Sequence, residues 1–222
     1  MTFKRQEWTS TSIPFARNKP LQLMIIIFIL FFGLLAFSPT DRFIWITYNS
    51  TLIAVILILV FTYKWFRFSN LSYLLMLIFF CLHTYAAHYT YEGTPMDQWL
   101  KISLHTKRSY YDQVVHFAFG LLIAFPFREF FIFQVKPRGI WSYVLPVVFV
   151  IGFSALFEIL EMLAALVAGP GGEATFVGMQ GDIFDTQKDM ALGFLGGVIS
   201  MGILAWIIRK RDKTNAASDS LR

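Results

Sequence analysis

Acidic residues and histidines recur at helical spacing in the second half of this sequence. Asp112 and His116 are four residues apart, and Glu158 and Glu161 are three apart. Residues three or four positions apart share one face of an α-helix, so each pair points in one direction. A third acidic set has the same kind of spacing if the last helix starts early: Asp182, Asp185 and Asp189.

Carboxylate and imidazole groups gathered in this way predict two kinds of chemistry. In the first, Asp112, His116 and Glu158, with Asp185 or Asp189, hold a divalent metal. The metal lowers the pKa of a bound water, which attacks an ester or phosphate while one of the two glutamates acts as base. These ligand types suit Zn, Mn, Mg or Ca. In the second, the same groups relay protons or bind a cationic ligand, because packed carboxylates cannot all ionise unaided.

Each group also has a purely structural interpretation. An acid near a helix start is favoured by the helix dipole, so Asp112 with His116 is also typical of a stabilised N-terminus. The two glutamates could reach the membrane interface from a long helix. Asp182 and Asp185 are also typical capping residues. The convergence of all the groups on one place is therefore stronger evidence than any single member.

The composition indicates that a membrane bundle positions these residues. Of the 222 residues, 56% are hydrophobic and only 15% are charged, whereas a soluble domain carries about 25% charged residues. The mean hydropathy is +0.58. Disorder is excluded by the aromatic content of 18%. The single cysteine, Cys81, cannot form an internal disulfide.

Six stretches have the roughly 20 apolar residues that a membrane-crossing helix needs. They are Leu21 to Phe37, Phe43 to Tyr63, Leu71 to His88, Ser109 to Phe127, Ile140 to Val167 and Met190 to Ile208. The predicted fold is all-α, a polytopic transmembrane bundle of about six helices over residues 21–208. A cytoplasmic arm, residues 1–20, precedes it, and a solvated, frayed cytoplasmic tail, residues 209–222, follows it. The first span is predicted to be an anchor rather than a removable signal.

The basic residues predict the direction of each helix. Fourteen of the nineteen Lys and Arg lie in the arm, the tail and the two loops on the same side. Cytoplasmic segments retain positive charge, so both termini are predicted to be cytoplasmic. The acids then fall at the external end, together with His83 and His88. Ionisable groups so close to lipid should turn into the bundle, which predicts one external pocket.

The inner halves of the helices are apolar, which counts against a continuous polar route for transport. Gly193 and Gly197 form a G-x-x-x-G pattern in the last span, which permits close helix approach. The bases lie in the gaps between apolar runs rather than on one basic element, so nucleic acid is not an expected partner.

Four ordered motifs also carry a resemblance to a known family. They are His83-Thr84-Tyr85 running into His88-Tyr89-Thr90-Tyr91, Tyr110-Tyr111-Asp112-Gln113-Val114-Val115-His116-Phe117, Phe157-Glu158-Ile159-Leu160-Glu161, and Gly181-Asp182-Ile183-Phe184-Asp185-Thr186-Gln187-Lys188-Asp189-Met190. Through them the chain, from about Ile44 to Ile208, resembles the YjdF-like family of bacterial inner-membrane proteins, a family of unknown function. The resemblance implies a multi-pass fold in the bacterial inner membrane. Relatives often have a basic residue at the position of Gln113 and Trp at that of Phe184.

A weaker similarity runs to the VanZ-like membrane proteins, whose pattern is similar to that of Asp112, His116, Glu158 and Asp189. The leading hypothesis is a metal-dependent hydrolase or transferase that acts on a lipid or envelope-linked substrate at an external pocket. The alternatives are a proton- or cation-coupled transporter and a structural or accessory membrane protein. Membrane lipids are the expected partners, and the oligomeric state is left open.

Overall fold

The structure is a computed structural model that describes residues 8–172, 176 and 182–219. These residues form seven α-helices and no strand, and six of the helices are long and apolar enough to cross a membrane. The predicted all-α transmembrane bundle is therefore confirmed. The helices are α1 (Lys19–Ala36), α2 (Arg42–Thr62), α3 (Asn70–His88), α4 (Pro95–Ser103), α5 (Tyr111–Gln134), α6 (Trp141–Ala168) and α7 (Asp185–Asp219).

Several helix bounds differ from the predicted spans. The short helix α4 was not predicted, since it is too short and too polar to span a membrane. Helix α5 runs through Pro126 to Gln134 instead of ending at Phe127. Helix α7 begins at Asp185, and it continues as a helix to Asp219 where a frayed tail was expected. The tail is rich in Lys, Arg and Ala, which favour helix.

Four of the helices begin at a side-chain cap. The capping residues are Asn18, Asp41, Ser69 and Thr94. Each side chain accepts a hydrogen bond, 2.9–3.3 Å long, from the backbone N–H three residues further along. This contact satisfies one of the backbone donors that a helix leaves free at its start, and it fixes where the helix begins.

Helix α5 lies at the centre of the bundle and packs against α3, α6 and α7. Its contact with α7 is a direct approach of the two backbones. A Cβ atom on Gly120 would lie 1.8 Å from the Gly193 carbonyl oxygen, and one on Gly196 would lie 2.3 Å from the Phe117 carbonyl oxygen. Only glycine fits at these two positions, because any side chain would force the helices apart.

The spanning helices alternate in direction, so the bundle has two distinct ends. Helices α1, α3 and α6 finish at the end where α2, α5 and α7 begin, and we call it the acidic end. There the His88 imidazole Nδ1 donates to the Leu35 carbonyl at 2.7 Å. We call the opposite end the basic end; there Asn18 Nδ2 donates to Asn70 Oδ1 at 2.8 Å.

Candidate functional site

Five of the predicted site residues meet at the acidic end, on three helices that touch one another. They are Asp112 and His116 on α5, Glu158 and Glu161 on α6, and Asp189 on α7, and together we call them the acidic cluster. Four of them are buried, whereas the Asp112 side chain retains 33% of its exposure. Asp112 therefore lies at the edge of the cluster and the other four lie inside it.

His116 is the centre of the acidic cluster. Its Nε2 atom lies 3.1 Å from Glu158 Oε1 and 3.8 Å from Asp112 Oδ1, so one imidazole stands between two carboxyl groups. The Phe157 ring packs edge-on against the imidazole, with centroids 5.8 Å apart. This aromatic contact and the spacing of Asp112 and His116 along α5 hold the ring in one orientation.

Asp189 joins the cluster because of the glycine contact between α5 and α7. It lies one turn before Gly193, where an added Cβ would meet Ser154 Oγ at 2.6 Å and the His116 carbonyl oxygen at 3.5 Å. This places the same face of α7 against the cluster, and Asp189 interacts electrostatically with Asp112, His116 and Glu158. The early start of α7 is therefore what brings a third helix to the site.

The acidic cluster has more carboxyl groups than bases. It has four carboxyl groups and one imidazole. Besides the Glu158 oxygen that faces His116 at 3.1 Å, two carboxyl oxygens are buried with no hydrogen-bond partner among the described residues: Asp112 Oδ1 and Asp189 Oδ1. Carboxylates cannot all ionise in such a place unless protons or a cation balance them. Within the described part of the chain, no three His, Cys, Asp or Glu residues are arranged to hold a metal ion.

Glu161 faces a different neighbour from Glu158. Its carboxyl group accepts a hydrogen bond from the buried Tyr48 hydroxyl of α2. Both residues line a cavity of about 20 Å³ together with Phe157 and Phe176. A cavity of this size with polar atoms on its wall has room for about one water molecule. Tyr48 could not be identified from the sequence, because a single tyrosine in an apolar span is usually a packing residue.

His83 lies beside the acidic cluster and is connected to it through Tyr48. Its Nε2 atom is 3.2 Å from the Tyr48 carbonyl oxygen, and its Nδ1 atom is 2.8 Å from the Tyr91 hydroxyl. A carbonyl can only accept, so Nε2 donates and Nδ1 accepts from Tyr91. Burial raises the pKa of Tyr91 well above its usual value, which keeps its hydroxyl protonated as that donor.

His88 lies outside the acidic cluster, although the sequence placed it among the pocket candidates. It comes at the last turn of α3, and its imidazole contacts the Leu35 carbonyl at the end of α1. The Thr40 backbone N–H donates to the His88 carbonyl at 3.0 Å. His88 therefore connects two helix ends. His88 comes five positions after His83, so the two imidazoles point in different directions around α3.

Two of the predicted acids pair with a base that the sequence analysis did not single out. The Arg108 guanidinium binds the carboxylates of Asp182 and Asp185, and Lys188 also contacts Asp182. The hydrogen bonds from Lys188 and Arg108 hold the pKa of Asp182 well below its usual range. Asp185 is thus oriented toward Arg108, at the outer edge of the site. Charge that was expected to face a metal is balanced here by an arginine.

Asp97 fixes the start of α5, and it too was missed. This buried carboxylate accepts hydrogen bonds from the backbone N–H groups of Tyr110 at 2.8 Å and Tyr111 at 3.2 Å. It also pairs with Lys101 at 2.7 Å. The sequence contained a signal, since Thr94 and Asp97 have the spacing of a helix N-terminus. By holding the first turn of α5, Asp97 determines where Asp112 lies.

The acidic cluster is closed on the side that faces the basic end. One turn below His116, Gly120 of α5 meets the backbone of α7 at Gly193. On the third side, Val150 of α6 is fully buried and lies 3.6 Å from a Cβ atom placed on Gly197. These contacts pack α5, α6 and α7 tightly together beneath the cluster, which counts against a polar route toward the basic end.

Comparison with known proteins gives a family and no reaction. The sequence profile of a family described as "Predicted membrane protein (DUF2238)" matches residues 20–211. The chain is 30% identical over 174 residues to the inner membrane protein YjdF of Escherichia coli (strain K12), which covers 76% of this chain and 80% of that protein. No solved structure matches the chain.

Proposed function

We propose a function from the premise that this chain belongs to the DUF2238 family of predicted membrane proteins: it is a membrane-embedded acid–base enzyme. Its substrate would be an ester or phosphoester of a lipid or of an envelope-linked compound, which enters at the acidic end. The observation that carries the proposal is the contact of 3.1 Å between His116 Nε2 and Glu158 Oε1, in a buried place that is closed toward the basic end.

In the proposed chemistry Glu158 acts as the base and His116 acts as the acid. Glu158 removes a proton from water while the water oxygen attacks the carbonyl carbon or the phosphorus. Protonated His116 donates a proton to the oxygen that leaves, so the bond to that oxygen breaks. The proton on Glu158 then passes to His116 across the short contact and restores the starting state. A positioned acid–base pair of this kind contributes about 10²–10⁴-fold to a rate.

The other members of the acidic cluster support the pair. Asp112 lies 3.8 Å from the same imidazole nitrogen, and its negative charge favours the protonated form that can act as acid. Glu161 and Tyr48 face the cavity that has room for about one water molecule. Glu161 is therefore the second candidate base. Arg108, which sits at the outer edge, carries the charge that would orient an anionic substrate if Asp182 released it.

The sequence hypothesis also included a divalent metal at this site, and metal binding can be tested separately from the acid–base chemistry. Asp112, His116 and Asp189, with Asp185, are the ligands that the sequence suggested, and Asp185 contacts Arg108 instead. The proton transfers are therefore assigned to the side chains of the chain itself. Metal analysis of the purified wild type and of Asp112→Ala tests the addition: bound metal at about one ion per chain in the wild type, lost in the variant, would replace the metal-free assignment.

The activity test compares the lipid and envelope-ester content of cells by mass spectrometry. In a strain that lacks the gene, we expect a phosphorylated or esterified lipid-linked compound to accumulate. Wild-type protein should restore its normal level, whereas His116→Ala and Glu158→Gln should not. His88→Ala is the matched control, because that imidazole lies outside the acidic cluster. If both cluster variants restore the level fully, the enzyme proposal is wrong and a structural role remains.

Purified protein then provides the direct assay. Wild-type protein in liposomes, incubated with the compound that accumulates, should release the hydrolysed product, and His116→Ala should release it about 10²-fold more slowly or slower still. Both proteins must show the same thermal unfolding midpoint for the comparison to count. Equal rates would contradict the assignment of His116 as the acid.

The surplus of carboxyl groups favours a second candidate, proton- or cation-coupled transport. This candidate needs a path to the basic end, and the close approach of α5 and α7 at Gly120 and Gly193 beneath the cluster counts against one. Liposomes that carry a pH-sensitive dye distinguish the two. Transport predicts an internal pH change when an outside-acid gradient is applied, and the change should vanish in Asp189→Asn.

The orientation in the membrane belongs to the same proposal. Fourteen of the nineteen Lys and Arg belong to the N-terminal arm, the C-terminal tail and the two loops at the basic end, which supports cytoplasmic termini and an acidic cluster that faces the opposite side. A fluorescent protein fused after Arg222 should then be fluorescent. An alkaline phosphatase fused at the same residue should be inactive, and activity of the phosphatase would reverse the orientation.

A further inference from the structure

The basic end of the bundle has a groove that the proposed function does not use. Its volume is about 550 Å³, which lies in the range of small-molecule sites. It opens between the N-terminal arm, the loop before α3 and the last turns of α5. The lining residues are Thr11, Phe66, Phe125, Arg128, Glu129, Ile132, Phe133 and Lys136, and we call it the aromatic groove.

One wall of the aromatic groove is apolar and is exposed on the outside of the bundle. Phe66 is buried and packs against Phe133, with ring centroids 5.0 Å apart. Phe133 and Ile132 are 52% and 42% exposed on the outer surface of α5. A hydrocarbon chain lying along these side chains would stay within the apolar part of the bilayer, so the wall suits an acyl chain.

The other wall carries positive charge that no carboxylate neutralises among the residues that the structure describes. Arg128 stacks on the Tyr143 ring at 4.8 Å, and its buried Nε atom has no hydrogen-bond partner among the described residues. Lys136 follows the end of α5, and it likewise has no carboxylate partner in that part of the chain. A guanidinium and an ammonium at one site bind a phosphate group well.

Among the described residues that line the groove, the single acid already has hydrogen-bond partners. Glu129 Oε2 accepts the Ser69 backbone N–H at 2.8 Å and the Ser72 hydroxyl at 2.7 Å, so it completes the start of α3. Its charge is directed to that helix start, where negative charge is favoured by the helix dipole. The groove therefore retains a net positive charge beside an apolar wall.

We propose that the aromatic groove binds one anionic phospholipid, with the lipid phosphate on Arg128 and Lys136 and an acyl chain along Phe133 and Ile132. The arrangement matches the two parts of such a molecule, an anionic head and an apolar tail at the membrane surface. This inference is independent of the proposed enzyme function, because the groove lies at the opposite end of the bundle.

Native mass spectrometry of delipidated protein tests the proposal. The probes are phosphatidylglycerol, which is anionic, and phosphatidylcholine, which is zwitterionic, with matched acyl chains. We expect one phosphatidylglycerol per chain to bind at least about tenfold more tightly than phosphatidylcholine. Lys136→Gln should lower the affinity for phosphatidylglycerol by about tenfold, which is the effect expected from the loss of one charge-assisted hydrogen bond. Lys136 is exposed, so this variant should fold.

The matched control is Arg138→Gln. It removes one exposed positive charge from the same loop, at a residue that does not line the groove. Equal weakening by Arg138→Gln would mean that general surface charge attracts the lipid, and the proposal would be wrong. Equal affinity for the two lipids would also overturn it. If millimolar inorganic phosphate displaces phosphatidylglycerol, the groove is a site for soluble phosphate compounds rather than for lipid.

Discussion

The acidic cluster and the aromatic groove occupy opposite ends of one bundle. The first buries acidic groups in a tightly packed site, and the second presents basic groups in an open one. In the cluster, four carboxyl groups lie with one imidazole, and α5 and α7 approach closely on the side of the basic end. In the groove, Arg128 and Lys136 lie near the exposed Phe133 ring and the buried Phe66 ring, and the space is open. Buried groups of one charge sign must be neutralised by protons or cations. Charged groups at an open groove are solvated until a ligand binds them.

The difference follows from how the helices meet at each end. At the acidic end α5, α6 and α7 approach through glycine and serine, so their polar side chains are forced together. At the basic end bulky Phe side chains hold the chain segments apart, and Phe66 contacts both Phe130 and Phe133. Small residues therefore produce a closed site and aromatic residues an open one, which the following substitutions test.

The largest expected effect comes from breaking the closed end. Gly120→Leu would place a side chain against the Gly193 backbone, so α5 and α7 would have to separate. We expect the free energy of unfolding to fall by about 3 kcal/mol or more. Thermal unfolding of the purified protein measures it. Gly152→Leu is the control, since nothing lies within 4 Å of a Cβ atom at Gly152. Equal midpoints for the two variants would show that the glycine contact does not hold the cluster together.

A moderate effect is expected at the basic end from Glu129→Gln. The substitution removes a charged acceptor from the Ser69 N–H and the Ser72 hydroxyl. The free energy of unfolding should fall by about 1 kcal/mol. The groove would gain positive charge, so phosphatidylglycerol should bind more tightly than to the wild type. Asp212→Asn, an exposed change on the last helix, should alter neither quantity. Weaker lipid binding in Glu129→Gln would contradict the proposed role of the groove charge.

The smallest effect concerns the ion pairs at the outer edge of the acidic end. The folded-state pKa of Asp182 lies below its unfolded value because Lys188 and Arg108 bind its carboxylate. The stabilisation is therefore complete above the unfolded pKa of about 3.9, and it is lost as the pH falls toward the lower folded value. The wild type should melt at a higher temperature than Asp182→Asn at pH 7.

This difference should stay constant down to about pH 5 and shrink below about pH 4, where the free carboxyl group begins to bind its proton. Unfolding midpoints measured at intervals between pH 7 and pH 3 check the trend. A difference between the two proteins that grew on acidification would show that Asp182 is not held as a paired carboxylate.

Much of the bundle could be predicted from sequence, because membrane spans are local in the chain. A run of apolar residues long enough to cross the bilayer is a sufficient signal, and six such runs became six helices. The bounds were harder. Helix α5 passes through Pro126 without ending, and Asp185 begins α7, because packing against neighbours outweighs the local signals.

The candidate site could be predicted only in part. Helical spacing paired Asp112 with His116 and Glu158 with Glu161, since that relation stays within one helix. It could not show whether Asp185 or Asp189 would join His116 and Glu158, or that Arg108 would bind Asp185. The sequence also placed His88 among the pocket candidates. In the structure its contact with the Leu35 carbonyl holds it outside the acidic cluster.

The sequence by itself determined that this protein is a membrane bundle and which residues gather near each end, because length and hydropathy fix the depth of a residue along its own helix. The tertiary structure decided which side chains meet across helices. That depends on the rotation and the distance of each helix, and both are set by contacts such as Gly120 with Gly193 that join residues far apart in the chain. The acidic cluster and the aromatic groove are both products of that second level.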